Sequence, residues 1–236
     1  MIELQNQLEL NILCEELEPQ QTKRVALFLG RFSPPTAGHY AMINELKKFI
    51  REHKELNLVS TPAVVIIGGS KSDLDKTRNP LSVEDRESFM KASGKANGVL
   101  FFTATNAFEA FATLRSKGYE PIAIAAGTDR IENYMKMLDK YFLTPEEKPI
   151  KHYPIHLERD EEATETKKDA KGAAIDSVLT SMKDGGDVDT RAVSGSLARR
   201  AVELGYEPEF AKIVGLENKP ELAKKMFAKI AVGLKG

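Results

Sequence analysis

The sequence predicts an open α/β fold, a parallel sheet with helices on both faces, followed by a helical C-terminal region. Three observations predict it. Val25–Gly30 (VALFLG), Ala63–Gly69 (AVVIIGG), Val99–Ala104 (VLFFTA) and Ile122–Gly127 (IAIAAG) are short, nearly continuous apolar runs, the pattern of strands buried on both faces. Segments with helical spacing separate the runs, and strand alternating with helix reads as a parallel sheet with right-handed crossovers. A chain of 236 residues also buries enough surface, roughly 70–75% of what it exposes unfolded, to need no disulfide or metal staple.

The elements follow in order. After the first run, His39, Ile43, Leu46 and Ile50 fall on one helical face. Ser82 with Asp85, directly after Asn79-Pro80, is a capping-box-like start for a second helix. Phe108, Phe111, Ala112 and Arg115 are expected to share one face of a third. A fifth strand is expected around Ile150–Leu157, then a polar surface loop over Glu158–Gly172. Helices are expected around Ala174–Met182, from Ser196, and near Glu221–Leu234. Residues 1–22 are acidic and Gln-rich with scattered leucines, an arm or an added helix.

Composition excludes several classes. With 34 basic and 35 acidic side chains the net charge is −1, so no overall field draws the chain to nucleic acid or to an anionic membrane. Arg191, Arg199 and Arg200 make too small a basic cluster to argue otherwise. Cys14, the single cysteine, rules out an intramolecular disulfide and any multi-cysteine zinc site. His152 and His156 alternate on the fifth strand, but no third ligand accompanies them, so no protein metal site is expected. No apolar stretch reaches membrane-helix length, and the N-terminus lacks the basic start and apolar run of a signal peptide. A cytoplasmic small-molecule protein is the expectation.

Chemistry concentrates in the turn after the first strand, Gly30-Arg31-Phe32-Ser33-Pro34-Pro35-Thr36-Ala37-Gly38-His39. Ligands of open parallel sheets bind beyond the carboxyl ends of the strands, near the switch in strand order. Gly30 would let a ligand approach the backbone, and the two prolines stiffen the loop. Thr36 opens a helix whose unpaired N–H groups attract anions, with Gly38 and His39 in its first turn. Neither a P-loop nor a G-x-G-x-x-G fingerprint is present.

The ten-residue string resembles the signature of the nucleotidylyltransferase superfamily, G-x-F-x-P-x-(H/T)-x-G-H, with Gly30, Phe32, Pro34, Thr36, Gly38 and His39 matching every specified position. The threonine form resembles the phosphopantetheine adenylyltransferases. The resemblance implies a Rossmann-like α/β domain over residues 23–206, with 1–22 as an extension and 207–236 as a C-terminal helical segment. It also implies a second phosphate segment, I-S-(G/S/T)-(S/T)-x-x-R at a helix start, which Val193-Ser194-Gly195-Ser196-Leu197-Ala198-Arg199 fits with conservative changes. Alone, that stretch reads as a serine N-cap with an arginine on a solvated face. Paired with the first motif, it supplies hydroxyls, helix N–H groups and a forked cation for phosphate oxygens.

Two further segments carry the resemblance. Lys71, and Asn79-Pro80-Leu81-Ser82 leading to Arg86, are similar to the nicotinamide-mononucleotide adenylyltransferases, which implies that Lys71 and Arg86 hold the acceptor. On their own, Lys71 reads equally as a solvated loop lysine and Arg86 as a surface ion-pair residue. Gly127-Thr128-Asp129-Arg130 ends the fourth strand; relatives use such a G-x-D segment beside the nucleotide, and Asp129 also suits an N-cap. The ordered set resembles nucleotidyltransferases encoded by tailed bacteriophages.

The resemblance therefore implies transfer of a nucleotidyl group from a nucleoside triphosphate, ATP favoured, to a phosphorylated acceptor such as nicotinamide mononucleotide, with release of pyrophosphate. His39, Thr36 and Lys71 are the expected catalytic residues. Gly30, Arg31, Phe32, Gly38, Gly127, Asp129, Ser194, Ser196 and Arg199 are expected at the nucleotide, and Lys71, Arg86 and Arg130 at the acceptor. Mg²⁺ is expected through the nucleotide's phosphates. Two alternatives stay open. One is cytidylyl transfer to a phosphorylated alcohol or sugar. The other is a non-catalytic nucleotide-binding protein of the same fold, with homo-oligomer contacts through residues 1–22 and the last helix. The setting would be the cytoplasm, that of the host if the chain is phage-encoded.

Overall fold

The computed structural model describes residues 22–69, 75–126, 128–142, 150–155, 170–186, 189 and 193–235. Among these residues five strands form one sheet: β1 (Lys23–Gly30), β2 (Ala63–Ile67), β3 (Leu100–Ala104), β4 (Tyr119–Ala125) and β5 (Tyr153–Ile155). Their order is β3-β2-β1-β4-β5 and every pairing is parallel. The order reverses direction between β1 and β4, so the switch point lies beside the carboxyl end of β1. This is the Rossmann-like α/β fold that the four apolar runs predict.

Three of the four runs are buried on both faces. Against the expectation for Val99–Ala104, β3 is mostly half-buried, because it lies at the edge of the sheet with no neighbouring strand among the described residues on one side. Val25, Leu27 and Leu29 pack with Ala110, Phe111, Leu114 and Leu138 on one side. Ala26 and Phe28 pack with Ile43, Leu46 and Met90 on the other. The covering helices are α1 (Ala37–Glu52), α2 (Val83–Ser93), α3 (Ala107–Ser116) and α4 (Thr128–Tyr141). Helix α2 starts where its capping pair says, the Asp85 N–H donating to Ser82 Oγ at 3.1 Å. Helix α1 ends at His53, whose ring stacks on Phe49 with centroids 4.0 Å apart.

Helix α3 corrects one expectation. Its buried face is Ala110, Phe111 and Leu114, while Phe108 is 53% exposed. The side chains at i, i+1 and i+4 face the sheet, and the stripe drawn through Phe108, Ala112 and Arg115 runs along its flank. Strand β5 is shorter than Ile150–Leu157. His152, just before it, is buried with Nδ1 3.2 Å from Asp139 Oδ1, and His156 lies outside the described residues.

Among the described residues the C-terminal region holds four helices: α5 (Ala170–Lys183), α6 (Gly195–Glu203), α7 (Glu207–Ile213) and α8 (Pro220–Lys235). Helix α5 begins two residues before the expected end of the polar loop, most of which lies outside the described residues. Helix α7 has no counterpart in the sequence reading, being only seven residues long. Leu81 and Phe89 from the α2 region share one apolar cluster with Leu197, Ala201, Phe210, Met226 and Ile230. The last thirty residues thus complete a core with α2 and α6. No helix among the described residues is long and apolar enough to cross a membrane.

Candidate nucleotide site

The turn after β1 is built around Phe32. Its ring lies edge-on to Phe28 at 5.0 Å between centroids and 4.8 Å from the His39 imidazole. A Cβ on Gly30 would come within 2.9 Å of that ring, so glycine at the strand end admits Phe32. The side of Gly30 where a Cβ would stand is filled by the Phe32 ring, and Phe32, only 1% exposed, packs against the His39 ring. Phe32 adopts a φ of 51°, a conformation that costs a non-glycine residue free energy and that its packing must offset.

Thr36 is the N-cap of α1 and ties down the imidazole. Its backbone N–H donates to His39 Nδ1 at 2.9 Å, and its Oγ1 lies 2.9 Å from the same nitrogen. A backbone N–H only donates, so Nδ1 is the acceptor and the ring proton of the neutral imidazole sits on Nε2. The edge of His39 turned away from the helix cap is therefore a donor edge. Gly38 is buried in the same turn, and Arg31 is half-buried.

The second segment folds against the first. Ser194 is the N-cap of α6, its Oγ accepting from the Leu197 N–H at 3.2 Å. Arg199, one turn on, donates through Nη1 to the Ser33 carbonyl at 2.5 Å and through Nη2 to Ser196 Oγ at 3.1 Å. Thr36 Oγ1 reaches the Val193 carbonyl at 3.5 Å. A Cβ on Gly195 would sit 2.8 Å from the Ser33 carbonyl oxygen, a backbone atom that cannot step aside, so only glycine allows this approach. The N-termini of α1 and α6 thus adjoin at the carboxyl end of β1. Ser194 and Ser196 accept in these bonds, so each brings its hydroxyl proton to an incoming anion.

Charge accumulates at the same place. Burial, then the positive charge of Arg31, pulls the Arg199 guanidinium below its ordinary value; Arg78 acts in the same direction, while Glu203 and Asp75 oppose it. Arg78, largely exposed, pairs with Asp75 of its own turn, Nε to Oδ2 at 3.6 Å, so the two act on Arg199 in opposite directions. Arg78 was not singled out in the sequence because it lies before the Asn79-Pro80 motif rather than in it. The signal that could have found it is a cation directly preceding that motif.

Arg86 stands elsewhere than expected. It is 1% exposed, and its guanidinium donates to three carbonyls, Ser82 at 3.1 Å, Arg31 at 2.8 Å and Ile67 at 3.0 Å. It ties the ends of β1 and β2 to the start of α2, beneath the site. An exposed role was expected because helical spacing alone does not reveal strand ends converging on the arginine. Arg130 lies half-buried in the first turn of α4. Lys71 and Gly127 lie outside the described residues, as does the side chain of Asp129.

Residues 27–169 match the cytidylyltransferase-like family. The match ends before Val193, so the second segment's place at the site rests on its contacts with Ser33 and Thr36. Among solved structures, the chain is similar to the nicotinic acid mononucleotide adenylyltransferase of Plasmodium falciparum complexed with NaAD. Identity is 14%, with 87% of this chain and 98% of that one covered and a TM-score of 0.45. No curated protein matches. The family match spans more than half of the 236 residues and contains the whole Gly30–His39 turn; the chain belongs to the cytidylyltransferase-like family.

Proposed function

We propose that the chain transfers a nucleotidyl group from a nucleoside triphosphate, ATP first, to a phosphorylated acceptor such as nicotinamide mononucleotide. An oxygen of the acceptor phosphate forms the new bond to the α-phosphorus, the bond from that phosphorus to the bridging oxygen breaks, and pyrophosphate leaves. The acceptor is already anionic at neutral pH, so no general base is needed. The observation that carries this reading is the meeting of Ser33 with Arg199 and of Thr36 with Val193. That meeting supports one polyphosphate held from two sides.

In this mechanism the residues align and neutralise charge. His39 donates from Nε2 to an α-phosphate oxygen, its ring fixed by the Thr36 N–H and by Phe32. Ser194, Ser196, Arg199 and the first N–H groups of α6 hold the departing β- and γ-phosphates, with Arg31 adding charge. Lys71 and Arg130 take the acceptor's phosphate in this reading. One well-aimed donor of this kind stabilises the transition state by about 2.7–4 kcal/mol. The donors present, hydroxyls and guanidiniums, suit phosphate oxygens and not a bare cation. Mg²⁺ therefore fits only as a passenger on the nucleotide's own phosphates, where it supplies further charge neutralisation.

The test is pyrophosphate release with ATP or CTP across a panel of phosphorylated acceptors. Release with ATP and nicotinamide mononucleotide supports the full reading. Release only with CTP and a phosphorylated alcohol or sugar moves it to the cytidylyl reaction. Nucleotide binding without release under any pairing overturns catalysis and leaves a binding protein.

A further inference from the structure

Ser33, Thr36, Ser194 and Ser196 bring hydroxyls to the corner where α1 and α6 begin. Three of them are hydrogen-bonded. Thr36 Oγ1 lies 2.9 Å from His39 Nδ1, Ser194 Oγ accepts from the Leu197 N–H, and Ser196 Oγ accepts from Arg199. Ser33 is the exception. The residue is only 7% exposed, and its hydroxyl is buried with no hydrogen-bond partner among the described residues.

A hydroxyl taken out of water and given no partner costs its hydration and gains no bond, so a buried one calls for an explanation. Packing does not supply it, because alanine fits the same space. What residue 33 does for the corner it does through its main chain. Its carbonyl accepts from Arg199 Nη1 at 2.5 Å and lies 2.8 Å from where a Cβ on Gly195 would stand. Ser33 is thus set between the Arg199 fork and the first residue of α6. One rotatable bond carries its hydroxyl, so Oγ reaches a new partner by turning between staggered positions, without a backbone shift.

We propose that the Ser33 hydroxyl is a further donor of the polyphosphate site, held in reserve and satisfied when a phosphate oxygen enters between α1 and α6. This rests on the site proposed above and adds a residue to it. The groups beside it, the Arg199 guanidinium and the first N–H groups of α6, are donors, and the partner common to all of them is an anionic oxygen.

A donor of this kind separates stability from binding. Ser33→Ala removes a buried hydroxyl that bonds to nothing, so the melting temperature without polyphosphate should hold or rise. In calorimetric titration with inorganic tripolyphosphate the same variant should bind about tenfold more weakly or worse, the effect of one lost hydrogen bond to a charged group. Ser194→Ala is the contrast. Its hydroxyl caps α6, so that variant should lose melting temperature as well as affinity. Ser33→Cys, whose thiol donates weakly, repeats the comparison if the alanine variant does not fold. A Ser33→Ala protein that melts lower and binds more weakly overturns the proposal, because the hydroxyl then holds the turn itself. Wild-type affinity in Ser33→Ala overturns it as well, and leaves the polyphosphate site standing where Arg199→Ala abolishes binding. No binding by the wild type removes the site and this inference together.

Discussion

The Arg199 guanidinium donates to the Ser33 carbonyl at 2.5 Å, across 166 positions of sequence. This bond joins two loop-to-helix turns, each with an incomplete set of phosphate donors, into one cationic corner. A carbonyl accepting from Arg199 consumes one arm of the fork, and Ser196 Oγ takes part of the other. The guanidinium is thereby oriented before any ligand arrives, which lowers the ordering cost of binding.

Arg199→Lys is therefore predicted to fail almost as badly as Arg199→Ala. Lysine keeps the charge but cannot hold Ser33 and Ser196 together through a planar fork. Both variants should lower turnover by about a hundredfold or more, measured as pyrophosphate release. A lysine variant near wild-type rate would show that charge alone suffices.

His39→Ala should reduce turnover by about two powers of ten or more while circular dichroism and melting stay close to wild type. Thr36→Val should cost less, about tenfold, because the backbone N–H that orients Nδ1 survives the substitution. The reverse ranking would mean that the threonine hydroxyl, and not the imidazole, does the chemistry.

Arg86→Met should act on folding. Removing a buried guanidinium leaves the Arg31, Ile67 and Ser82 carbonyls to find other donors, and stability should fall by about 3 kcal/mol or more in urea unfolding. Had Arg86 held the acceptor directly, the acceptor KM would rise with little change in stability.

Tyr40 supplies a pH test. Burial pushes its phenol up to about 12, with Ser93 pulling modestly the other way. The unfolded chain gives up that proton near pH 10, so stability present below pH 10 is lost as pH rises toward 12. The loss amounts to about 3 kcal/mol for this group. Tyr40→Phe should remove that part of the alkaline decline in chemical-denaturation curves taken between pH 9 and 12. Parallel curves for both proteins would refute the assignment.

How much was legible in the sequence follows from the range of the interactions. The β1 turn could be read because Gly30, Thr36 and His39 act within ten residues of one another. The sheet could be read because strands buried on both faces leave continuous apolar runs. What Gly30 is for could not be read, since a strand-end glycine admits a ligand or a side chain equally, and only folding shows Phe32 there. The same holds for Arg86, whose three carbonyl partners converge from β1, β2 and α2. Gly233 packs on the distant Pro80, which no local pattern records.

The most direct measurement is a crystal structure of the protein with a non-hydrolysable ATP analogue and Mg²⁺. The triphosphate should lie between α1 and α6, with an α-phosphate oxygen within hydrogen-bond reach of His39 Nε2 and the β- or γ-phosphate on Arg199 and Ser196. A triphosphate seated anywhere else, or one that touches only one of these two helix starts, would contradict the joint site.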